Sequence, residues 1–458
     1  MAGIIFTRPP VHRTDSTTAR INRRQLLAGS TALASTLALG TLGTLGTLGS
    51  LAASGNATAQ TPGATPLATP FASPGSTATA GGKLGALLAM VPDTESASNA
   101  DDGMLFYYAD LETQLKTLGI AQDGSFESAN LVAALYPLAL ASQAFQYATA
   151  PDFGETFGFN PYGTHRTLFV GVPPREISIF EGGIDPDRLV AAWKASGYAP
   201  KMTDQGVEFW SAGENGEIDF SSPVSRYGVG ALNNAVVLND DTLVFARTSS
   251  LIKGVVAQVM GHGSSLADRP GVSPVVSTLS DRMVSAIGVT GRFATTVSRT
   301  MTPDERNALV ALLAESDDMV GKMPSIDVMV FAVEAGAVGL VVDPGATPVT
   351  VFNDNSPSAT PRVDQAAATT VVPLVEARMH AGSAADAAQA AKVVAWRWDH
   401  LDSPLVDRPY AELMTRVAAG VAPGDETVAA IDFDAGMHGA GSRWLQLVNN
   451  RDLVPFAG

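Results

Sequence analysis

No charged residue stands between Gln25 and Gly82, a stretch built almost entirely of Leu, Ala, Gly, Thr, Ser and Pro. A soluble domain needs polar and charged positions around an apolar core, so this stretch does not belong to one. Whatever folds must lie in residues 83–458, a length that supplies a sizeable core and room for more than one domain.

The front of the chain has its own logic. Residues 1–59 carry five Arg (Arg8, Arg13, Arg20, Arg23 and Arg24) and a single acid, Asp15. Leu26 to Ala53 is an uncharged run with the triplet Thr-Leu-Gly repeated three times from Thr41 to Gly49, and Ala57-Thr58-Ala59 follows. A basic segment, an apolar segment and a small-x-small site form the layout of a signal peptide. Asn22-Arg23-Arg24-Gln25-Leu26-Leu27 resembles the twin-arginine export signal, although Leu26 stands where Phe is usual and Ala28 where Lys is usual. That resemblance implies the twin-arginine translocase and a signal peptidase as partners during export, with Arg23 and Arg24 as the export signal and cleavage at Ala57 and Ala59. The expected location is across the cytoplasmic membrane, in the cell envelope or beyond it. The alternative is an uncleaved anchor, since the uncharged run is long enough to span a bilayer. Residues 60–82 hold small residues, Pro, Gln, one Leu and one Phe, and read as a flexible low-complexity linker.

Charge and cysteine close off several functions. The whole chain has a formal net charge of −16. Losing residues 1–59 leaves 24 basic and 44 acidic residues, hence −20. Nucleic-acid binding over a broad surface needs clustered Lys and Arg, so it is not expected. With no cysteine in the chain, disulfides, thiolate catalysis, Cys-ligated zinc and Fe–S clusters are excluded.

Helix and strand signals alternate through the rest. Asp185-Pro186-Asp187 and Thr302-Pro303-Asp304-Glu305 begin helices, as does Ser383 with Asp386. An apolar helix bent by Pro137 is expected between Ser125 and Tyr147. Strands are expected at 176–181, 207–210, 236–238, 243–246, 283–289, 327–333, 338–342, 371–379 and 427–433, with a hairpin turn at Asp240-Asp241. The order strand, helix, strand, strand over 176–211 recurs at 371–433, each time with a Trp-bearing helix. Together these predict an α+β fold of two related sheet-plus-helix halves, 83–295 and 296–458. Their strands should be mainly antiparallel, with the helices on one face.

Motifs for catalysis are sparse. Ser250-Leu251-Ile252-Lys253 matches the Ser-x-x-Lys of serine β-lactamases, but the partner motifs of that chemistry are missing, and a helix first turn capped by Thr248 explains the same residues. No nucleophile elbow and no phosphate-cradling loop occurs. Gly261-His262-Gly263 reads as a turn. The histidines left after cleavage (His165, His262, His380, His400 and His438) have no paired metal spacing. Asp399-His400-Leu401-Asp402, with Asp407 nearby, offers oxygen and nitrogen ligands to a hard cation, or is simply a helix-end loop. No metal and no cofactor are predicted.

One segment departs from the average. Residues 145–169 hold seven aromatics, against an aromatic content of 7% overall. Phe153, Phe157, Phe159, Tyr162, His165 and Arg166, set among Gly and Pro, make a candidate binding loop, since aromatics bearing a few polar groups line ligand pockets. The competing account is a loop that folds its rings into the core. The runs at Gly183–Tyr198, Ser265–Asp268 and Arg408–Met414 loosely resemble exported bacterial proteins without assigned activity, which implies no catalytic residues. The expectation is an exported cell-envelope protein that binds an unspecified ligand or protein partner without catalysis. The alternative is an extracytoplasmic hydrolase whose acids and histidines meet only in the fold.

Overall fold

The structure, a computed structural model, describes residues 82–93, 104–122, 131, 134–213, 215, 218–219, 221–227, 230–291, 303–337, 373–403, 408–435, 444, 447–448 and 453–457. The export signal, the cleavage site, nearly all of the linker, the strand expected at 338–342, Asp407 and His438 lie outside them.

Fourteen strands are described: β1 Leu105–Asp110, β2 Arg166–Val172, β3 Arg175–Glu181, β4 Ala199–Met202, β5 Glu208–Ser211, β6 Asn234–Leu238, β7 Thr242–Ala246, β8 Met283–Thr290, β9 Val328–Glu334, β10 Leu374–His380, β11 Asp402–Ser403, β12 Arg408–Pro409, β13 Arg416–Val421 and β14 Val428–Asp434. Twelve form one sheet in the order β13-β14-β10-β9-β8-β1-β2-β3-β7-β6-β5-β4, while β11 and β12 pair by themselves. Every pairing is antiparallel. Among the described residues ten helices can be given bounds: α1 Gly82–Leu88, α2 Leu111–Thr117, α3 Gln143–Tyr147, α4 Phe153–Phe157, α5 Pro186–Ala195, α6 Ser249–Val259, α7 Val272–Ser277, α8 Pro303–Val320, α9 Ala384–His400 and α10 Tyr410–Leu413. The fold is α+β with antiparallel strands, as the sequence implies.

The halves do not form separate sheets. β8 pairs with β1 on one side and β9 on the other, so the sheet runs unbroken across residue 295. At the β1–β8 seam Phe106 lies opposite Gly288, and a Cβ on Gly288 would sit 1.9 Å from the Phe106 ring. Glycine is required there because the ring occupies the side-chain space.

Helices cover both faces, not one. On the first face Phe106, Tyr108, Leu168, Val170, Ile177, Ile179, Val330 and Ala332 pack against Leu84, Leu87 and Leu88 of α1, Ile252, Val255 and Val256 of α6, and Val272 and Val275 of α7. On the second face α2 to α5 cover one end, around Phe157, Phe180, Trp193 and Phe245. There α9 and the C-terminal residues cover the other end, around Phe331, Trp398, Phe433 and Phe456. β7 and β9 are therefore buried at every position, and a strand buried on both sides shows no polar alternation.

Local signals acted where expected. The Asp185 carboxylate accepts from the Arg188 N–H at 3.2 Å and starts α5. Ser383 Oγ accepts from the Asp386 N–H at 3.1 Å and starts α9. The helix foreseen over 125–147 is instead broken. Turns follow Leu135, and a fresh helix, α3, begins after Ser142, whose Oγ accepts from the Ala144 N–H. Pro137 has no N–H to extend a helix, and Ser142 caps the next one. The hairpin turn sits one residue earlier than foreseen, with Asn239 and Asp240 at φ of 52° and 56°, the left-handed pair that a tight antiparallel turn requires.

Candidate functional site

The aromatic segment is spent on packing. Phe153 and Phe157 are fully buried, and Phe159 and Tyr162 are 4% and 8% exposed. The rings touch in sequence: Phe153 to Phe157 at 4.7 Å, Phe159 to Phe180 at 5.1 Å, and Phe145 to Tyr162 at 5.4 Å between centroids. The Tyr162 hydroxyl donates to the Phe145 carbonyl at 3.1 Å, and burial pushes its pKa up to about 12. Gly158, left-handed at φ 81°, ends α4 where a Cβ would meet the Leu189 Cα at 2.7 Å, so α4 lies directly on α5. These side chains form core and present no open ligand surface. The physical reason is that the second face of β3 and β7 is wide and apolar, and the rings are the groups large enough to fill it.

The two polar candidates of that segment, Arg166 and His165, lie against neighbouring strand and turn residues. Arg166 grips Glu181 with two hydrogen bonds, of 2.8 and 3.0 Å, across the β2–β3 pair, which raises its pKa further above the ordinary value. His165 lies against Gly182, where a Cβ would come within 2.1 Å of the imidazole Nδ1.

The other motifs resolve locally. Ser250 Oγ bonds to Thr248 Oγ1 at 2.9 Å in the first turn of α6, and Lys253 reaches Asp204 at 3.4 Å, so both have structural partners. His400 stacks on Trp396 with centroids 4.5 Å apart, while Asp399 pairs with Arg416. His380 stands 3.5 Å from Asp327, and His262 is exposed beyond the end of α6. Among the described residues no group of three or more His, Asp or Glu stands where it could hold a metal ion.

The densest ionic cluster lies on the first face, beneath residues 278–282. β10 sends Val375, Ala377 and Met379 toward α9, so Glu376 and Arg378 point the other way. Arg378 holds Glu376 at 3.1 Å and Asp432 at 2.6 Å. The Ser280 N–H donates to Glu376 at 3.1 Å and the Ser280 hydroxyl to Glu334 at 2.7 Å, while Arg282 lies 3.3 Å from Glu334. Burial pushes the Glu376 carboxyl up to about 7. Arg378 and the Ser280 N–H pull it down, and the Glu334 and Asp432 charges push it up further. Three carboxylates face two guanidiniums, so a proton on Glu376 relieves the excess negative charge.

The second feature lies on the other face, between α8 and α9. α9 carries Ala at seven of its seventeen positions, which brings its backbone close to the sheet through Ala387, Ala390, Ala391, Val394 and Trp398. Arg397 follows Ala390 by two turns and is 1% exposed. Its Nε donates to Ser316 Oγ at 2.8 Å, one Nη donates to the Ala457 carbonyl, and the other donates to Asp317 at 3.2 Å. Gln389 ties down the end of α8 by donating to the Val320 carbonyl at 3.0 Å, and Gly321, left-handed at φ 92°, ends that helix. A hollow of about 330 Å³, open to solvent at the exposed Val310, Ala314 and Lys322, lies here, lined also by Leu313, Asp317, Met323 and Arg397. None of these residues is a site candidate from the sequence. The available signal was a guanidinium on an apolar stripe, with Ala390, Val394, Arg397 and Trp398 at helical spacing.

No family model matches the chain, and no curated protein matches its sequence. A solved structure described as crystal form I of TP0453 superposes with a TM-score of 0.33 and 8% identity, over 79% of this chain and 96% of that one. Likeness at that score establishes neither fold nor function.

Proposed function

We propose that this is an exported cell-envelope protein that holds a ligand or partner without transforming it. The hollow between α8 and α9 is the observation behind the reading, because apolar side chains (Val310, Leu313, Ala314, Met323) and the Lys322 cation line one solvent-open recess, and binding sites combine apolar walls with a few polar groups. The Arg23-Arg24 signal and the Ala57-Thr58-Ala59 site support export. No helix among the described residues is long and apolar enough to cross a membrane.

Two measurements test the two parts. Replacing Arg23 and Arg24 together by Lys should leave precursor in the cytoplasm, and undiminished secretion would refute the export route. Native mass spectrometry of protein purified from its own host should show a retained small molecule or partner. If only the bare polypeptide mass is found, the binding reading loses its support.

Glu376 favours the second reading, an extracytoplasmic hydrolase, because a carboxyl near 7 suits general acid–base work. Its side chain is 2% exposed and enclosed by partners, so we place it second. Hydrolysis of a model ester or glycoside that disappears in Glu376→Gln would reverse that order.

A further inference from the structure

We infer that β13 docks a second copy of this chain, edge to edge and antiparallel, through the outward backbone groups of Ala419 and Val421. This surface is separate from the hollow beside α8, so the dimer and the ligand-holding reading stand or fall independently.

The two ends of the sheet are built differently. Among the described residues β4 and β13 are the outermost strands of the large sheet. β4 reads Ala199-Pro200-Lys201-Met202, and a proline without an N–H beside a lysine charge is a device that keeps an edge from pairing. β13 reads Arg416-Val417-Ala418-Ala419-Gly420-Val421, with no proline and no charge after Arg416. Val417 and Val421 are 58% and 39% exposed, and Ala418 and Ala419 are exposed between them. An uncovered apolar edge is a template for another strand.

The ladder shows which groups are open. The Ala422 N–H donates inward to the Val428 carbonyl at 2.7 Å. Beyond a bulge between Arg416 and Ala418, the register runs regularly from Ala418 opposite Asp432 to Val421 opposite Ala429. Inward and outward groups alternate along an antiparallel pair. Ala418 and Gly420 therefore bond to β14, while Ala419 and Val421 turn their N–H and C=O groups to the open side.

The pattern of the strand selects its occupant. A two-fold axis through Gly420 sets Ala419 of each copy against Val421 of the other, and each such pair exchanges both of its backbone bonds. Gly420 lies where the copies cross, with no side chain in the way. Charge favours the antiparallel sense. Arg416, 27% exposed beside Asp399, opens the strand, and the turn after it carries Asp425 and the exposed Glu426. About that axis Arg416 of each copy comes beside the acidic turn of the other, whereas parallel pairing sets Arg416 beside Arg416. Other extended peptides share the backbone bonds but not this charge match. A strand pair this short buries less than the roughly 1,200 Å² of a standard interface, so the association is reversible.

The test is sedimentation velocity of the full exported chain, which should pass from monomer at about 1 μM toward twice that mass at about 500 μM. Over the same range amide exchange should slow severalfold at Ala419 and Val421 and stay unchanged at Met202 on β4. Ala419→Pro removes an outward N–H and no bond to β14, so it should hold the chain monomeric with the melting temperature kept. Should that variant fail to fold, Val421→Lys charges the open edge and should do the same. Glu426→Arg should weaken the dimer severalfold, and adding Arg416→Glu should restore it. A chain that stays monomeric overturns the proposal, as does a dimer that survives Ala419→Pro and Val421→Lys or leaves the two amides unprotected. A dimer indifferent to the charge reversal overturns the antiparallel register. A foreign peptide protecting these amides in monomeric, host-purified protein would replace the second copy and overturn the proposal too.

Discussion

The two ends of the second face solve one packing problem with different materials. Over β3, β7 and β6 the cover is a set of short helices and turns, and the gap to the sheet is filled by Phe153, Phe157, Phe159, Phe180, Trp193 and Phe245 in mutual contact. Over β9, β10 and β14 the cover is one long alanine-rich helix, α9, that lies close to the sheet, with a second long helix, α8, outside it. Rings fill space completely, whereas small side chains let backbones approach and leave the outer layer to pack less evenly. α8 accordingly buries Ser316 but leaves Val310 and Met319 at 60% and 66% exposed, and the hollow lies along its flank. The aromatic-rich end, which composition singles out, is closed. The plainer alanine helix borders the open hollow.

The sharpest test of that contrast uses the buried arginine at each end. Arg247 pairs with Glu176 at 2.8 Å, and the Glu176 side chain is 3% exposed. Arg247→Met therefore strands a buried carboxylate and should cost about 3–5 kcal/mol in urea unfolding. Arg397→Met leaves behind Asp317, which reaches water, together with the Ser316 hydroxyl and the Ala457 carbonyl. It should cost about 2–3 kcal/mol, because Ser316 and Ala457 are left buried while Asp317 can turn to water. Equal losses would mean that the two ends depend on their buried arginines alike.

The same contrast explains what could be read in advance. Helix starts at Asp185 and Ser383 were legible because a cap is a local bond between a side chain and an N–H three residues on. The strand β2 was not foreseen. Thr167, Leu168, Phe169 and Val170 are all buried, so no alternation marked a strand, and Phe169 was counted with the loop. The burial of Phe153 to Tyr162 could not be read either, since an aromatic-rich segment has the same composition whether its rings meet each other or a ligand. Arg397 was hidden by the reverse effect. It lies inside a helix with ordinary signals at both ends, and only the placement of α8 across it makes its position meaningful. The ionic cluster around Glu376 depends likewise on residues 278–282, 334 and 432 meeting across three strands and a loop, which no spacing in the chain announces.

Charge crowding gives the next largest effect, and it belongs to the same end of the sheet as the hollow. In the folded chain Glu376 keeps its proton up to about 7, against an ordinary value of 4.5 in the unfolded chain. Between those values the unfolded state binds fewer protons, so stability falls as pH rises from 4.5 toward 7 and levels off above it. The fall is about 3 kcal/mol at most. Glu176, at the aromatic end, is also raised by burial, with Arg247 opposing it, and contributes with the same sign. Urea unfolding at pH 5 and pH 8 measures the drop, and Glu376→Gln should remove most of it. A variant that keeps the whole drop would move the pH dependence to Glu176 and the aromatic end.

The smallest effect separates filled from unfilled space with one kind of substitution at two alanines. Ala144 sits among the aromatic residues with no exposure. Its replacement by Leu forces three extra carbons into a close-packed region and should cost about 1–3 kcal/mol. Ala314 is exposed on α8 beside the open hollow, so Ala314→Leu has room for the same carbons and should change stability by less than about 0.5 kcal/mol in either direction. Both values come from the same denaturation series, and their difference measures the packing contrast directly because the added volume is identical. A large loss at Ala314 would mean that the space beside α8 closes in solution.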